Sequence, residues 1–295
     1  MFDSLFVEPE IFAQLVVLAV LLGGIYGFVA LGLTIVFGVM GVVNVAHGAF
    51  TAVGMYTVWF VASDLGLSPF VGVPLAAAFL FVVGVAVQRT TLAPIVEGPE
   101  ENKFLVTVAF LIVIVALVEL TFSATPRQLN ANLGSIAVAG VYVPRGELYA
   151  LGIAAAASAA VWGFLQRTHT GRAIRGTADN RLSAAYVGVD VDRVDAVTFG
   201  LGAALAGLAG ALVTFVQPFD PYLGNEYLTV AFVVVVLGGL GSIPGALLGG
   251  LVVGTIRVFG SFYLPGSYYN VLVLCVFIGV LLVRPTGLLG DDAHD

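Results

Sequence analysis

The chain is short of charge. Only 10% of its 295 residues are Asp, Glu, Lys or Arg, 60% are apolar, and the mean hydropathy is +1.07. A soluble domain carries about 25% charged residues, so most of this chain must be dissolved in lipid. It has a single lysine, Lys103, between Asn102 and Phe104. A phosphate-binding loop needs Gly-Lys-Ser/Thr to hold the β- and γ-phosphates, so ATP must be handled by another polypeptide. The single cysteine, Cys275, excludes a disulfide within the chain. His47, His169 and His294 are far apart, with no His-x-x-x-His or Cys-x-x-Cys spacing, so neither a metal site nor another cofactor is expected. No His/Asp or Ser/Lys pair clusters within the apolar runs, so no catalytic group is expected either. The net charge of −7 sets nucleic acid aside as a partner. The first ten residues hold three acids and no base, unlike the positive start of a cleaved signal peptide, so the first apolar run reads as a retained span.

What the chain has instead is a series of apolar runs. A helix needs about 20 apolar residues to cross the hydrocarbon core. Candidate spans fall at 11–37, 48–63, 70–88, 104–122, 148–166, 195–216, 227–237, 246–262 and 268–283. The seventh and eighth are short, so the expectation is an all-α, polytopic transmembrane bundle of eight or nine spans, with residues 1–295 as one domain. Two polar, glycine-rich interruptions stand near opposite ends of the sequence: Gly38-Val39-Met40-Gly41-Val42-Val43-Asn44-Val45-Ala46-His47-Gly48 and Gly238-Gly239-Leu240-Gly241-Ser242-Ile243-Pro244-Gly245. Irregular backbone at membrane depth survives only where protein buries it or where it lines a wet cavity. Paired interruptions in the two halves of a membrane protein point to a substrate route, so side chains beside both breaks are expected to line a pathway. His47 fits either a ligand or a hydrogen bond that holds the break near Asn44. Runs of small residues, such as 200–207 and 245–250, let helix backbones approach closely.

Charge placement gives an orientation. Arg167, Arg172, Arg175, Arg181 and Arg193 crowd around the segment after the fifth span. Cytoplasmic loops carry the excess of Lys and Arg, so this segment is expected inside, with the N-terminus outside and the C-terminus inside. Arg127 and Arg145 run against that pattern. Two ionisable residues fall within spans: Glu119, near the end of the fourth, and Arg257, in the eighth. A charge at the centre of a span costs about 2.5–3.5 kcal/mol on insertion scales, so Arg257 is expected near a boundary or paired, with Glu119 a possible partner by depth.

The polar segment 168–193 is expected to form a short amphipathic helix over 179–187, with Leu182, Ala185 and Tyr186 on one face and Gly188 stopping it. Such an element docks into a partner's groove or lies on anionic headgroups. Its sequence, with Gly171-Arg172, Ile174-Arg175-Gly176, Ala178, Ala184-Ala185 and Gly188, resembles the coupling loop of ABC importer permeases. Val43-Asn44-Val45-Ala46-His47-Gly48 with Gly54-Met55-Tyr56, and the tail Arg284-Pro285-Thr286-Gly287-Leu288-Leu289-Gly290, resemble the branched-chain amino acid, LivH-like permeases of that class. The likeness runs from about residue 11 to 290, with the motifs in order. It departs at two points. The loop lacks the acidic residue that opens this motif in many other ABC importers, and position 49 is Ala where some relatives carry a carboxylate.

The resemblance implies a plasma-membrane permease subunit that forms the pathway for branched-chain or related small amino acids. It implies alternating access, a second permease subunit, two ATP-binding subunits and an extracytoplasmic substrate-binding protein, with membrane lipid around them. Gly171, Arg172, Ala178, Asp179, Ala184, Ala185 and Gly188 would dock the ATPase. Asn44, His47 and Gly48 match the family's first interrupted helix, and Gly241, Ser242, Pro244 and Gly245 the second. Similar permeases carry urea or short amides, and a transporter or channel working alone is a further class. Buried acids for ion coupling would favour that class, and the spans hold almost none.

Overall fold

The computed structural model describes residues 8–290 except 97, 130–132, 139 and 267. Asp3, the acidic tail and His294 lie outside the described residues. The order is α1 (Pro9–Met40), α2 (His47–Ser63), α3 (Pro69–Val87), α4 (Glu100–Phe122), β1 (Ser135–Val138), β2 (Val141–Pro144), α5 (Arg145–Arg167), α6 (His169–Asp179), α7 (Arg181–Tyr186), α8 (Val191–Val213), α9 (Leu223–Gly238), α10 (Ile243–Tyr263) and α11 (Tyr268–Val283). A π turn and a 3-10 turn extend α3 as far as Ile95.

Among the described residues six helices are long and apolar enough to cross a membrane: α1, α3 with its extension, α4, α5, α8 and α10. Helices α9 and α11 are apolar but shorter. The chain is therefore a multi-pass membrane protein. The segment before α5, read from sequence only as a loop, contains a two-stranded antiparallel hairpin that pairs Ser135 with Pro144 and Val138 with Val141.

Local chemistry sets the helix ends. Pro9 opens α1, where the missing N–H costs nothing. Gly41 closes it at φ +62°, its N–H on the Phe37 carbonyl at 2.8 Å. Side chains cap the starts of four helices: Thr168 for α6, Asn180 for α7, Asp190 for α8 and Ser242 for α10.

Helices α1 and α8 form the buried centre. The first packs mainly on α10 and the second on α3 and α2, whereas α11 has no buried residue and α4 few. Small residues set the spacing: a methyl group at Gly27 would lie 3.0 Å from Leu247 Cα on α10, and one at Gly54 would strike the Gly207 carbonyl on α8. Lipid tails supply no hydrophobic drive between helices, so this close approach is what holds them together.

Candidate functional site

The first interruption is narrower than the sequence suggests. Helix α1 continues through Gly38 to Met40, irregular backbone occupies 41–46, and His47 begins α2. Both Asn44 and His47 are fully buried. His47 Nε2 donates to the Val29 carbonyl at 2.9 Å, tying the start of α2 to the middle of α1. The sequence placed this bond near Asn44; the structure places it on α1. Neither the Asn44 amide nor His47 Nδ1 has a hydrogen-bond partner among the described residues. Gly48 packs against the Gly224 carbonyl of α9. Thr107 on α4 braces the break and was not singled out from sequence. Its hydroxyl accepts from Val45 N–H at 3.3 Å and lies 3.2 Å from the Val43 carbonyl, with its closest acceptor, at 2.9 Å, the Phe104 carbonyl. A threonine in an apolar helix gives no sequence signal for this role, because its partners are backbone atoms far along the chain.

The second interruption spans 239–242, between α9 and α10. Gly239 and Gly241 adopt φ values of +109° and +82°, a region that side chains disfavour. Ser242 Oγ accepts from Gly245 N–H at 3.1 Å, and Pro244 falls in the first turn of α10. Gly245 packs on Gly238. The tail motif closes over this break: Leu288 N–H donates to the Leu237 carbonyl and Leu289 N–H to the Gly238 carbonyl, each at 2.9 Å. These bonds satisfy carbonyls that the end of α9 leaves free.

The 168–193 segment holds the expected short helix, as α7, and a second helix, α6, that the sequence reading did not include. Helix breaks at Asn180, because the Asn180 Oδ1 accepts from Ser183 N–H at 2.8 Å and starts a separate turn. Ala184 is the inward-facing residue of α7, while Leu182, Tyr186 and Val187 are 71%, 87% and 81% exposed. Ala185 is exposed beside them, and Gly188 turns the chain at φ +89°. In α6, Gly171 packs on the Phe164 and Leu165 backbone, whereas Arg172, Ala178 and Asp179 are exposed. An ion pair anchors α7 to α8: Arg181 reaches both Asp195 carboxylate oxygens, at 2.9 and 2.7 Å, and the Asp195 side chain is fully buried. A two-pronged arginine–carboxylate contact fixes angle as well as distance.

A cavity of about 380 Å³ joins two of these groups. Arg175, Ala178 and Asp179 of α6 line it together with Gly38 of α1 and Gly241 and Ser242 of the second break. A methyl group at Gly38 would lie 3.0 Å from Gly241 Cα, so the C-terminal end of α1 and the second break touch. Asn44, His47 and Gly48 are not among the residues lining it.

The suggested Glu119–Arg257 pair does not form. Arg257 donates to the Tyr26 hydroxyl on α1, while Glu119, at the far end of α4, accepts from the Tyr222 hydroxyl at 2.6 Å. The two sit on different flanks: α10 packs on α1 and α9, and α4 on α2. Among the described residues no group of three or more His, Cys, Asp or Glu is placed to hold a metal ion.

Comparison with known proteins matches this architecture. The high-affinity branched-chain amino acid transport system permease protein LivH of Escherichia coli (strain K12) is 31% identical, over 95% of this chain and 96% of its own. The permease protein BraD of Pseudomonas aeruginosa, of the same description, is 30% identical over 96% and 97%. The ribose import permease protein RbsC of E. coli (strain K12) is more distant, at 26% identity over 84% of this chain and 78% of its own. A family described as "branched-chain amino acid transport system / permease component" matches residues 15–281, and with full-length relatives above 30% identity the chain belongs to that permease family.

Proposed function

We propose that this chain is the permease subunit of an ATP-driven importer, forming the pathway for branched-chain or related small amino acids by alternating access. It carries no reaction of its own. ATP hydrolysis belongs to two ATP-binding subunits, and an extracytoplasmic binding protein delivers substrate. A second permease completes the pore. The N-terminus faces outside and the C-terminus the cytoplasm, which puts α6 and α7 on the side where ATP is.

The observation that carries this reading is the junction of α6, α7 and the second break. An exposed apolar face at Leu182, Tyr186 and Val187 offers a partner's groove something to hold. The Arg181–Asp195 pair, its carboxylate fully buried, transmits displacement of α7 to α8. The cavity shared by Asp179 and Ser242 lies between the driven element and the broken helix. Gly171, Arg172, Ala178, Asp179, Ala184, Ala185 and Gly188 then serve docking. Gly241, Ser242, Pro244 and Gly245 form the moving part of the pathway. Asn44, His47 and Gly48, packed away here, reach the pathway only after α2 shifts.

The test is uptake of labelled L-leucine by proteoliposomes holding this chain, a second permease and the ATP-binding subunits, with binding protein outside. Uptake should need ATP inside and vanish without the ATPase. ATP-independent uptake by this chain alone would overturn the reading.

A further inference from the structure

Arg257 lies within α10, short of its end at Tyr263, and the importer mechanism above does not use it. The ion pair formed among the described residues is Arg181–Asp195, so no described carboxylate lies within ion-pair distance of Arg257. Its contacts are aromatic and neutral. One Nη donates to the Tyr26 hydroxyl, and the guanidinium carbon lies 5.5 Å from the ring centres of both Tyr26 and Tyr269. The Tyr26 and Tyr227 rings meet edge-on at 6.0 Å, and Gln217 Nε2 donates to the Tyr227 hydroxyl at 3.3 Å.

A cavity of about 160 Å³ is lined by Leu18, Leu22, Ile25, Val216 and Val258 with one carboxylate, Glu147. Ile25 and Val258 adjoin Tyr26 and Arg257 in the chain. An aliphatic cavity of about 150 Å³ admits a guest the size of benzene, so a branched four-carbon group fits.

An ionisable residue inside a membrane span marks a functional site by default. A guanidinium holds five donors in a planar fork that matches a carboxylate. Arg257 shows one side-chain hydrogen bond, to Tyr26, and the Tyr26 hydroxyl, having accepted, keeps its own proton to give. We propose that Arg257 and Tyr26 bind the carboxylate of an aliphatic α-amino acid in transit, with Glu147 receiving its ammonium group and the adjoining cavity its side chain. The site rests on the amino-acid reading above and deepens it. It accounts for an arginine without an ion-pair partner near an aliphatic pocket that holds one acid, which packing alone does not require. It also predicts chemical selectivity within the permease: an amide lacking the carboxylate, or a fatty acid lacking the ammonium, loses one of two charged contacts.

The experiment uses the whole reconstituted complex with saturating binding protein, and reads L-leucine uptake and ATP hydrolysis side by side. Arg257→Gln should lower uptake at least tenfold while binding-protein-stimulated ATP hydrolysis stays within twofold. Arg257→Lys, which keeps the charge, should recover part of the uptake, and Tyr26→Phe and Glu147→Gln should each lower it several-fold. Purified wild-type complex should be stabilised against heat by millimolar L-leucine and not by leucinamide or 4-methylpentanoate. Unchanged uptake in Arg257→Gln, or equal stabilisation by all three compounds, overturns the site. The thermal measurement uses wild-type protein, so it decides even if Arg257→Gln does not fold. Absence of leucine uptake by the wild-type complex would instead overturn the function proposed above.

Discussion

Replacing Arg181 by methionine should harm this protein more than replacing its partner Asp195 by asparagine. The asymmetry comes from burial: the Asp195 side chain is fully buried, whereas that of Arg181 is 36% exposed. With arginine gone, a carboxylate is left in the protein interior without its counter-charge, a loss of about 3–5 kcal/mol for a broken buried pair. With aspartate neutralised, Arg181 turns toward water, and the loss is that of hydrogen bonds to a charged group, about 1.5–3 kcal/mol. One kcal/mol shifts the midpoint of a chain this large by about 2–4 °C. Arg181→Met should therefore lower the thermal midpoint of the purified complex by about 10 °C, and Asp195→Asn by roughly half of that. The double variant Arg181→Met with Asp195→Leu removes both charges and should recover most of the stability. It should still hydrolyse ATP but import leucine poorly, since α7 no longer has its fixed tie to α8. Equal losses from the two single variants, or strictly additive losses in the double variant, would refute the reasoning.

Three further outcomes follow from the same geometry. Tyr186→Ala combined with Leu182→Ser leaves the bundle intact, because both side chains point outward, but should abolish co-purification of the ATP-binding subunits. Thr107→Val keeps the shape of the side chain and removes the brace on the first break; it should lower stability by about 1 kcal/mol, read as a fall of a few degrees in midpoint. Gly287→Ala puts a methyl group 2.6 Å from the Gly239 nitrogen at φ +85°, so the tail should lift from α9. Faster hydrogen exchange at Leu288 and Leu289 would report that release.

Much of the fold was legible because lipid imposes simple rules. Apolar runs gave the helices, and Gly188 was read as the stop that follows α7. The family motifs at 43–48, 171–188 and 284–290 were equally readable. The hairpin at 135–144 was not, because short strands flanked by a polar loop carry little pattern. The helix expected across 179–187 forms as α7, two residues shorter at its start because Asn180 caps it, while α6 before it was not read. The partner of Arg257 was misjudged for a different reason: depth along a span says nothing about which helices are neighbours.

Composition and periodicity alone thus determined that this is a lipid-dissolved helical protein with a basic polar elbow. Both follow from forces that act along the chain, the transfer of apolar residues out of water and the need of each backbone group for a partner. Tertiary structure decided what those features touch. It set His47 on Val29, Thr107 across the first break, the tail on α9, Arg181 on Asp195 and Arg257 on Tyr26. Each of these contacts joins residues from separate elements, and their meeting depends on how closely glycine-faced helices can approach, a matter of packing in three dimensions that no local pattern encodes.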